Sequence, residues 1–505
     1  MKMDANMTAL LTPREMAEAD RLTIATRTSG WTLMQRAGQG IFDHLKLAFA
    51  DARRIAILAG PGNNGGDAYV AAGLLAAAGR ETQIFTAVPV ENLSGDAALA
   101  ARSFGGPRRP IEDFDAAGFD LVLDGLYGAG LSRAVEGPEA RAIEAANASG
   151  LPIVAIDLPS GISGSSGAAL GPAISAALTV TFFRRKPGHL LQSGRSHCGR
   201  VAVVDIGIDP GVLDVIAPKS FANEPKLWEG CFPRPADIGH KFDRGHAVVF
   251  SGSATKTGAA RLSALAALRV GAGLVTLASP PSALMVNAAH LTAIMLKRCS
   301  VPDDLGDLLA DPRLGTFVLG PGFGIGEPAR TVAAAIVEAH RALVLDADGI
   351  TSFADEPEQL FHLIAANAGD VFLTPHAGEF SRLFPDIAAN RDLSKLERAR
   401  HAALRSGAVV VLKGSDTVIA SPDGRAAINA TGTPYLATAG SGDVLSGLIA
   451  GLRSQAMPSF EAACAGVWMH GRAAEHFGPG LIAEDLPGLV PAVLAELLRP
   501  LSGAR

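Results

Sequence analysis

Cysteine, basic charge and long apolar runs are all scarce in this 505-residue chain. Cys198, Cys231, Cys299 and Cys464 lie far apart with no CxxC pair, which argues against a disulfide framework or a zinc ribbon and for a reducing compartment. With 44 Lys+Arg against 50 Asp+Glu the formal charge is -6, without the basic excess of a general nucleic-acid binder. No nucleic-acid partner is expected; a small molecule is. Leu158 to Phe183 and Gly271 to Leu296 lack Asp, Glu, Lys and Arg, but Pro159 and Pro172 interrupt the first and Pro280, Pro281, Asn287 and His290 the second. A spanning helix needs about 20 predominantly apolar residues, so no membrane segment is expected. The stretch Met1 to Leu11 is too short of apolar residues for a secretion signal, and a cytoplasmic enzyme is the expectation. A GxxxxGK[ST] run is missing too, which excludes a P-loop NTPase.

What is present is ample core material: 48% hydrophobic against 19% charged residues. At about 150 residues per domain the length allows two to four domains. Short apolar runs alternate with Ala- and Leu-rich helical patterns. Strands are expected at Arg54–Ala59, Thr82–Ala87, Asp120–Leu123, Pro152–Ile156, Leu178–Phe182 and Val201–Val204. A second series runs through His246–Phe250, Leu274–Ala278, Thr316–Leu319, Ala342–Leu345, Val371–Thr374 and Ala408–Leu412. Thr417–Ala420 and Ala426–Asn429 then flank Ser421-Pro422-Asp423-Gly424, which carries hairpin turn chemistry. The fold class is α/β, with two three-layer sandwiches built on mainly parallel sheets. Residues 216–232, rich in proline and without periodicity, are expected to link domains at 1–215 and 233–505. The opening segment from Thr12 to Met34 predicts one helix, with Thr12 as N-cap, Pro13 at N1 and Glu15 at N3.

Three motifs of the first half fall at strand ends. In Gly60-Pro61-Gly62-Asn63-Asn64-Gly65-Gly66-Asp67 the glycines allow backbone to approach a ligand, and the following helix offers unpaired N–H groups. Gly60, Gly62 and Gly65 fit GxGxxG, yet no acidic residue stands after the next strand to hold a ribose. A phosphate site and a plain turn with Asp67 as helix cap are level alternatives here. Asp124 in DGLYGAG and Asp157 in DLPSG end two further strands, and parallel sheets bind ligands beyond that edge. Asn64, Asp124 and Ser160 offer hard oxygens suited to an alkali or alkaline-earth cation, leaving Asp157 as acid or base. Alternatively, both aspartates only cap their loops.

In the second half, Ala437-Thr438-Ala439-Gly440-Ser441-Gly442-Asp443 precedes an apolar helical pattern. Exposed amides at a helix start together with a carboxylate base are the minimal equipment for phosphoryl transfer to an alcohol. The bland alternative is that Asp443 merely complements the helix dipole. Lys413-Gly414-Ser415-Asp416-Thr417 ends another strand and could meet a nucleotide phosphate. His376, Asp346, Asp348 and the Gly320-Pro321-Gly322-Phe323-Gly324 loop occupy further strand ends.

In this order and spacing, GPGNNGGD, DGLYGAG and DLPSG resemble the N-terminal domain of NAD(P)H-hydrate epimerases over roughly Leu10 to Ile208, with a Rossmann-like fold. The resemblance implies substrate contacts from Asn63, Asn64, Gly65, Gly66 and Asp67 and from Gly128, Ala129, Gly130, Leu131, Ser132, Arg133 and Ala134. It also implies potassium (K+) on Asn64, Asp124 and Ser160, and a catalytic, substrate-binding Asp157. Ala68, usually Gly, and Tyr127 depart from the pattern. From Pro233 onward HKFDRGHAVVF, GPGFG, VLDADGI, LTPHAGEF, VVLKGSDTVI and ATAGSGDVLSGLIAGL resemble ADP-dependent NAD(P)H-hydrate dehydratases, which have a ribokinase-like fold. That implies hydrate contacts at Ala260, Gly322, Phe323, His376 and a catalytic Asp443. ADP contacts are implied at Lys413, Gly414, Ser415, Asp416, Thr417 and Gly442, with Mg2+ accompanying ADP. Here Ser251 to Thr255, Ala377 and Ala439 depart from the pattern. Together the resemblances imply a bifunctional repair enzyme acting on NADHX and NADPHX, epimerising the R and S hydrates and dehydrating the S form while ADP becomes AMP and phosphate. A homo-oligomer is the expected assembly. The rival expectations are a small-molecule kinase and a nonenzymatic binding module in the first half.

Overall fold

The computed structural model describes residues 6–26, 28–235, 238–367 and 370–498. The outermost ends of the two expected domains, 1–5 and 499–505, lie outside the described residues. Contacts divide the described residues into two compact units, one of Ala9–Ser220 and one of the chain from Phe221 onward together with residues 6–8, which the sequence-based boundary places in the first domain.

The first unit is built on seven strands: β1 Arg54–Ala59, β2 Glu81–Thr86, β3 Arg108–Pro110, β4 Leu121–Gly125, β5 Ile153–Ile156, β6 Leu178–Phe182 and β7 Arg200–Val204. Their order in the sheet is β3-β2-β1-β4-β5-β6-β7, and every pair is parallel. The inner strands β4, β5 and β6 are buried at every position, which is why they read as continuous apolar runs rather than alternating ones. Sequence order runs outward to one side of β1 and then resumes on its other side at β4. That reversal opens a crevice beyond the carboxyl ends of β1 and β4, where GPGNNGGD and DGLYGAG emerge. The sequence-based strands agree within two residues; β3, two arginines and a proline, has no apolar pattern to betray it.

The opening segment forms two helices rather than one, Pro13–Ile24 and Gly30–Ala48. The Thr12 capping box with Glu15 is present as expected, but Ser29 caps a second start, its side chain accepting from Thr32 N–H. Apolar residues continue across the break, so periodicity alone hides it.

The second unit holds a ten-stranded sheet. Its strands are β8 Ser220–Asn223, β9 His246–Phe250, β10 Leu274–Ser279, β11 Met295–Arg298, β12 Thr316–Leu319, β13 Ala342–Leu345, β14 Val371–Leu373, β15 Val409–Leu412, β16 Val418–Ala420 and β17 Ala426–Asn429. The order is β11-β10-β9-β12-β13-β14-β15-β16-β17-β8, parallel from β11 to β15 and antiparallel in the β15-β16-β17 meander, whose β16–β17 turn is the expected hairpin. The expected linker at 216–232 is instead largely structured. It supplies β8 and the turn Pro225–Trp228, with Trp228 only 1% exposed and 5.7 Å from the Trp468 ring. Buried Asn223 donates to Cys464 O at 2.8 Å and to Asn429 Oδ1 at 3.0 Å. A four-residue strand followed by a proline-started turn leaves no periodic signature, so its prolines read as a linker. Helix Ser441–Ser454 packs against helix Gly258–Arg269 over the sheet.

Candidate active sites

At the first crevice the turn after β1 is shaped by contact. A side chain at Gly65 would overlap Gly60 O, and one at Gly60 would overlap Leu126 O, so both positions bring backbone against backbone. The chain then enters helix Asn63–Ala77, whose N-cap is Gly62 with no side-chain cap. Asp67 therefore does not cap the helix. It is 8% exposed, lines the cavity, and has neither a hydrogen bond nor an ion pair among the described residues.

The cavity has a volume of about 530 Å³. Asn63, Asn64, Asp67, Gly128 to Arg133 and Asp157 all line it, as the sequence leads one to expect. Three expected contacts do not. Gly65 lies beneath the turn, Gly66 packs on Met34 and Ala97, and exposed Ala134 sits beyond the cavity wall. The departure at Ala68 is also away from the cavity, its methyl group meeting Gly125 in the core, whereas Tyr127 is part of the wall.

Asp157 ends β5 with φ +62, a left-handed conformation that is costly for a non-glycine residue. Its Oδ1 accepts from Lys186 Nζ at 2.6 Å and from Thr181 Oγ1 at 2.9 Å, and its Oδ2 accepts from Ala129 N–H at 2.9 Å. Burial pushes this carboxyl up, but the Lys186 charge and these hydrogen bonds outweigh it and hold the group at about 2. Lys186 lines the cavity with 2% of its side chain exposed. His189 bonds the Asp157 carbonyl at 2.7 Å, and burial together with Lys186 holds its ring down at about 4, so it is neutral. Lys186, Thr181, His189 and Asp20 were not singled out from the sequence. FRRKPGH follows the next strand without a glycine-rich or acidic signature, and Asp20 lies inside a helical pattern. Asp20 lines the cavity and burial pushes its carboxyl up to about 6.

Two of the three expected cation ligands, Asp124 and Ser160, meet directly. Ser160 donates through N–H to Asp124 Oδ2 at 2.8 Å and through Oγ to Asp124 Oδ1 at 2.6 Å. Asp124 is fully buried with no ion pair among the described residues, and burial pushes it up to about 6. Asn64 Oδ1 and Asp157 Oδ2 converge beside Gly128, each 3.0 Å from where its Cβ would stand, while Asn64 Nδ2 is buried without a partner.

In the second unit, residues at the ends of β13 and β15 meet the start of helix Ser441–Ser454. Asp346 Oδ1 takes Lys413 Nζ at 2.9 Å and Asp346 Oδ2 takes Ser446 Oγ at 2.6 Å. Gly440, φ +88, turns the chain into the helix, where a Gly442 Cβ would stand 3.4 Å from Lys413 Nζ. Burial, then the Asp346 charge, pushes Asp443 up to about 7 against the pull of Lys413. Next to Asp346, Ala347 has φ +47, and Asp348 accepts from Gly324 N–H at 3.0 Å, which ties down the GPGFG loop. Phe323 packs edge-on against Phe250.

Other expected ligand contacts are occupied differently. Asp416 is 6% exposed and paired with Lys395 at 2.6 Å, and Thr417 Oγ1 donates to Gly414 O at 2.8 Å, closing that loop on itself. His376 caps helix Ala377–Leu383, accepting Gly378 N–H on Nδ1 at 2.9 Å, and its ring stays exposed. The Ala260 side chain is fully buried in the core.

Residues 247–485 match the family described as NAD(P)H-hydrate dehydratase, and residues 31–188 the family described as YjeF-related protein N-terminus. The bifunctional NAD(P)H-hydrate repair enzyme Nnr of Coxiella burnetii is 35% identical over 95% of this chain and 98% of its own. The same-named protein of Gloeobacter violaceus is 37% identical over 95% and 97%. The chain belongs to the bifunctional NAD(P)H-hydrate repair enzymes. Among solved structures, the ADP/ATP-dependent NAD(P)H-hydrate dehydratase of Bacillus subtilis, co-crystallised with ATP/Mg2+, is 26% identical and covers 55% of this chain and 98% of that one, with a TM-score of 0.47. Both matched families fall within single compact units, and no helix among the described residues is long and apolar enough to cross a membrane.

Proposed function

We propose that this chain performs both halves of the family's repair on NADHX and NADPHX: interconversion of R and S hydrates in the first unit and dehydration of the S hydrate in the second. The observation that carries the first half is Asp157, paired with Lys186 at 2.6 Å, in the wall of a cavity lined by residues of the NNGGD and GAGLSR loops. In the hydrate, the hydroxyl sits on the carbon next to the ring nitrogen. Its departure leaves a cationic ring, and a fixed carboxylate is the group that favours such a charge.

The donor set fits K+. Asn64, Asp124 and Ser160 offer hard oxygens, and the buried Asp124 carboxylate lacks a cationic partner among the described residues. A potassium ion there would supply positive charge for substrate oxygens to meet. The loops after β1, β4 and β5 then hold the hydrate over Asp157.

In the second unit Asp443 accepts the proton of the hydrate's hydroxyl as that oxygen attacks the β-phosphorus of ADP. The new O–P bond replaces the bridge to the α-phosphate, and AMP leaves. Phosphate then departs with the electron pair of its C–O bond as the ring nitrogen pushes, and loss of the neighbouring C–H proton restores the double bond. Gly440 and Gly442 leave the helix-start amides open to the phosphoryl oxygens, and Lys413 adds its charge beside them. Mg2+ accompanying the nucleotide would neutralise charge on its phosphates. Free cysteines at positions 198, 231, 299 and 464 support a reducing, cytoplasmic setting.

The test is recovery of reduced-nicotinamide absorbance from mixed hydrate epimers with Mg2+ and ADP or ATP, in potassium or choline buffer. Complete recovery, faster with ADP and in potassium, supports the reading. A fast phase that stops at one epimer removes the epimerase half; a stable phosphate ester in place of reduced nicotinamide means a kinase.

A further inference from the structure

Three carboxyls on the first cavity's wall, Asp20, Asp67 and Asp96, have no hydrogen bond or ion pair among the described residues, and Asp67 is the only buried one of the three. Its side chain projects from the helix after β1, and Asp157 stands at the end of β5. The strand β4 lies between β1 and β5 in the sheet, and both carboxyls line the one cavity beyond its edge. The two are equipped in opposite ways. Asp157 has an ammonium, a hydroxyl and an amide on its oxygens. Asp67 is 8% exposed with no hydrogen bond or ion pair among the described residues, surroundings that favour its protonated form.

Resting on the epimerase reading above, we propose that Asp67 is a second catalytic group, the neutral acid that protonates the departing hydroxyl of the hydrate while Asp157 faces the resulting cation. The Asp67 O–H bond breaks, its proton joins the hydroxyl, the C–O bond breaks with its pair, and water leaves as the ring nitrogen's lone pair forms the C=N bond. Water then adds to the other face. Asp157 takes the proton shed as the new C–O bond forms, and that proton returns through solvent to Asp67. The reset is downhill. Burial, with the Asp157 and Asp20 charges added, pushes Asp67 well above the ordinary carboxylate range, Lys186 pulling the other way, whereas Asp157 is held at about 2. Asp20, from helix Pro13–Ile24, is the competing acid on the cavity wall, and Asp96 and Arg133 complete the charged lining.

The experiment gives the full chain one purified NADH-hydrate epimer without nucleotide, in oxygen-18 water, and follows the other epimer by NMR. The unmutated protein is expected to convert it with solvent oxygen entering the hydroxyl. Asp67→Asn, neutral and of the same shape, is expected to slow kcat by about 10²- to 10⁴-fold with KM little changed. In the unmutated protein the rate is expected to fall as pH rises through the raised Asp67 value, because the acid form is lost. No conversion by the unmutated protein overturns the epimerase reading itself. Conversion with Asp67→Asn within about threefold of it overturns the acid role alone. Loss in Asp20→Asn but not in Asp67→Asn overturns it in favour of Asp20. A rate flat from about pH 5 to about pH 10 overturns it without any variant.

Discussion

Lys186 Nζ lies 2.6 Å from Asp157 Oδ1 and 2.9 Å from Thr181 Oγ1, with only 2% of the lysine side chain exposed. Removing one partner of a buried pair strands the other, at a cost of about 3–5 kcal/mol. Lys186→Met is therefore expected to lower the thermal transition of the first unit and to abolish epimerisation, while nucleotide-driven dehydration of the S hydrate continues. The pair also sets a pH signature. Because the folded-state value of Asp157 is depressed, its stabilisation is complete above the unfolded aspartate range of about 4 and is lost as pH falls through about 2. In Lys186→Met the largest downward pull on Asp157 is gone, so the depression shrinks and with it the loss of stability on the acid side. Unchanged unfolding-versus-pH curves for the variant would show that the pair is incidental.

The alkali-cation set gives a prediction that needs no turnover. An ion that binds only the folded state raises stability by RT ln(1 + [L]/Kd), about 2.7 kcal/mol at a hundredfold excess over Kd. Potassium is expected to raise the melting temperature of the unmutated chain above its value in choline, and to do so far less in Asp124→Asn, where a neutral amide replaces the buried carboxylate. Equal shifts in both proteins would place the potassium effect elsewhere.

The two glycines of one motif should respond oppositely. At Gly65 a methyl group would overlap Gly60 O, so Gly65→Ala must displace the turn that carries Asn63, Asn64 and Asp67. At Gly62 a Cβ would meet nothing within 4 Å and φ is -102°, so Gly62→Ala costs no more than the cap preference, about 1 kcal/mol. Epimerisation is expected to be lost in the first and largely kept in the second. A Gly62→Ala as damaging as Gly65→Ala would contradict the assigned turn.

How much was legible follows from this contrast. Strands buried on both faces announce themselves as apolar runs, and the glycine-rich loops mark strand ends, so the α/β class, the two halves and the loop residues facing the cavity could be read. Partners could not. Lys186 reaches Asp157 from 29 positions away only because β5 and β6 are neighbours, and Ser446 reaches Asp346 across 100 positions. Nor does a sequence distinguish a glycine that must approach backbone from one that need not, or an aspartate that caps a helix from one left bare in a cavity. Short strands such as β8 escaped for the opposite reason: four residues carry too little period to outweigh the prolines around them.

Asp443 and Asp346 supply the last prediction. Burial and the Asp346 charge push Asp443 up to about 7, with Lys413 pulling it down. A base works in its ionised form, so kcat/KM for nucleotide-driven dehydration is expected to rise with pH through about 7 and then level. Asp443→Asn should lose about 10²- to 10⁴-fold in rate on the plateau and show no rising limb. Asp346→Asn removes a negative neighbour, so its rising limb should move to lower pH, whereas Lys413→Met should move it higher. Both substitutions also break the Lys413–Asp346 contact, so a merely structural role predicts reduced rates with the limb unmoved in both. Displacement of the limb in opposite directions is what assigns Asp443 as the titrating base.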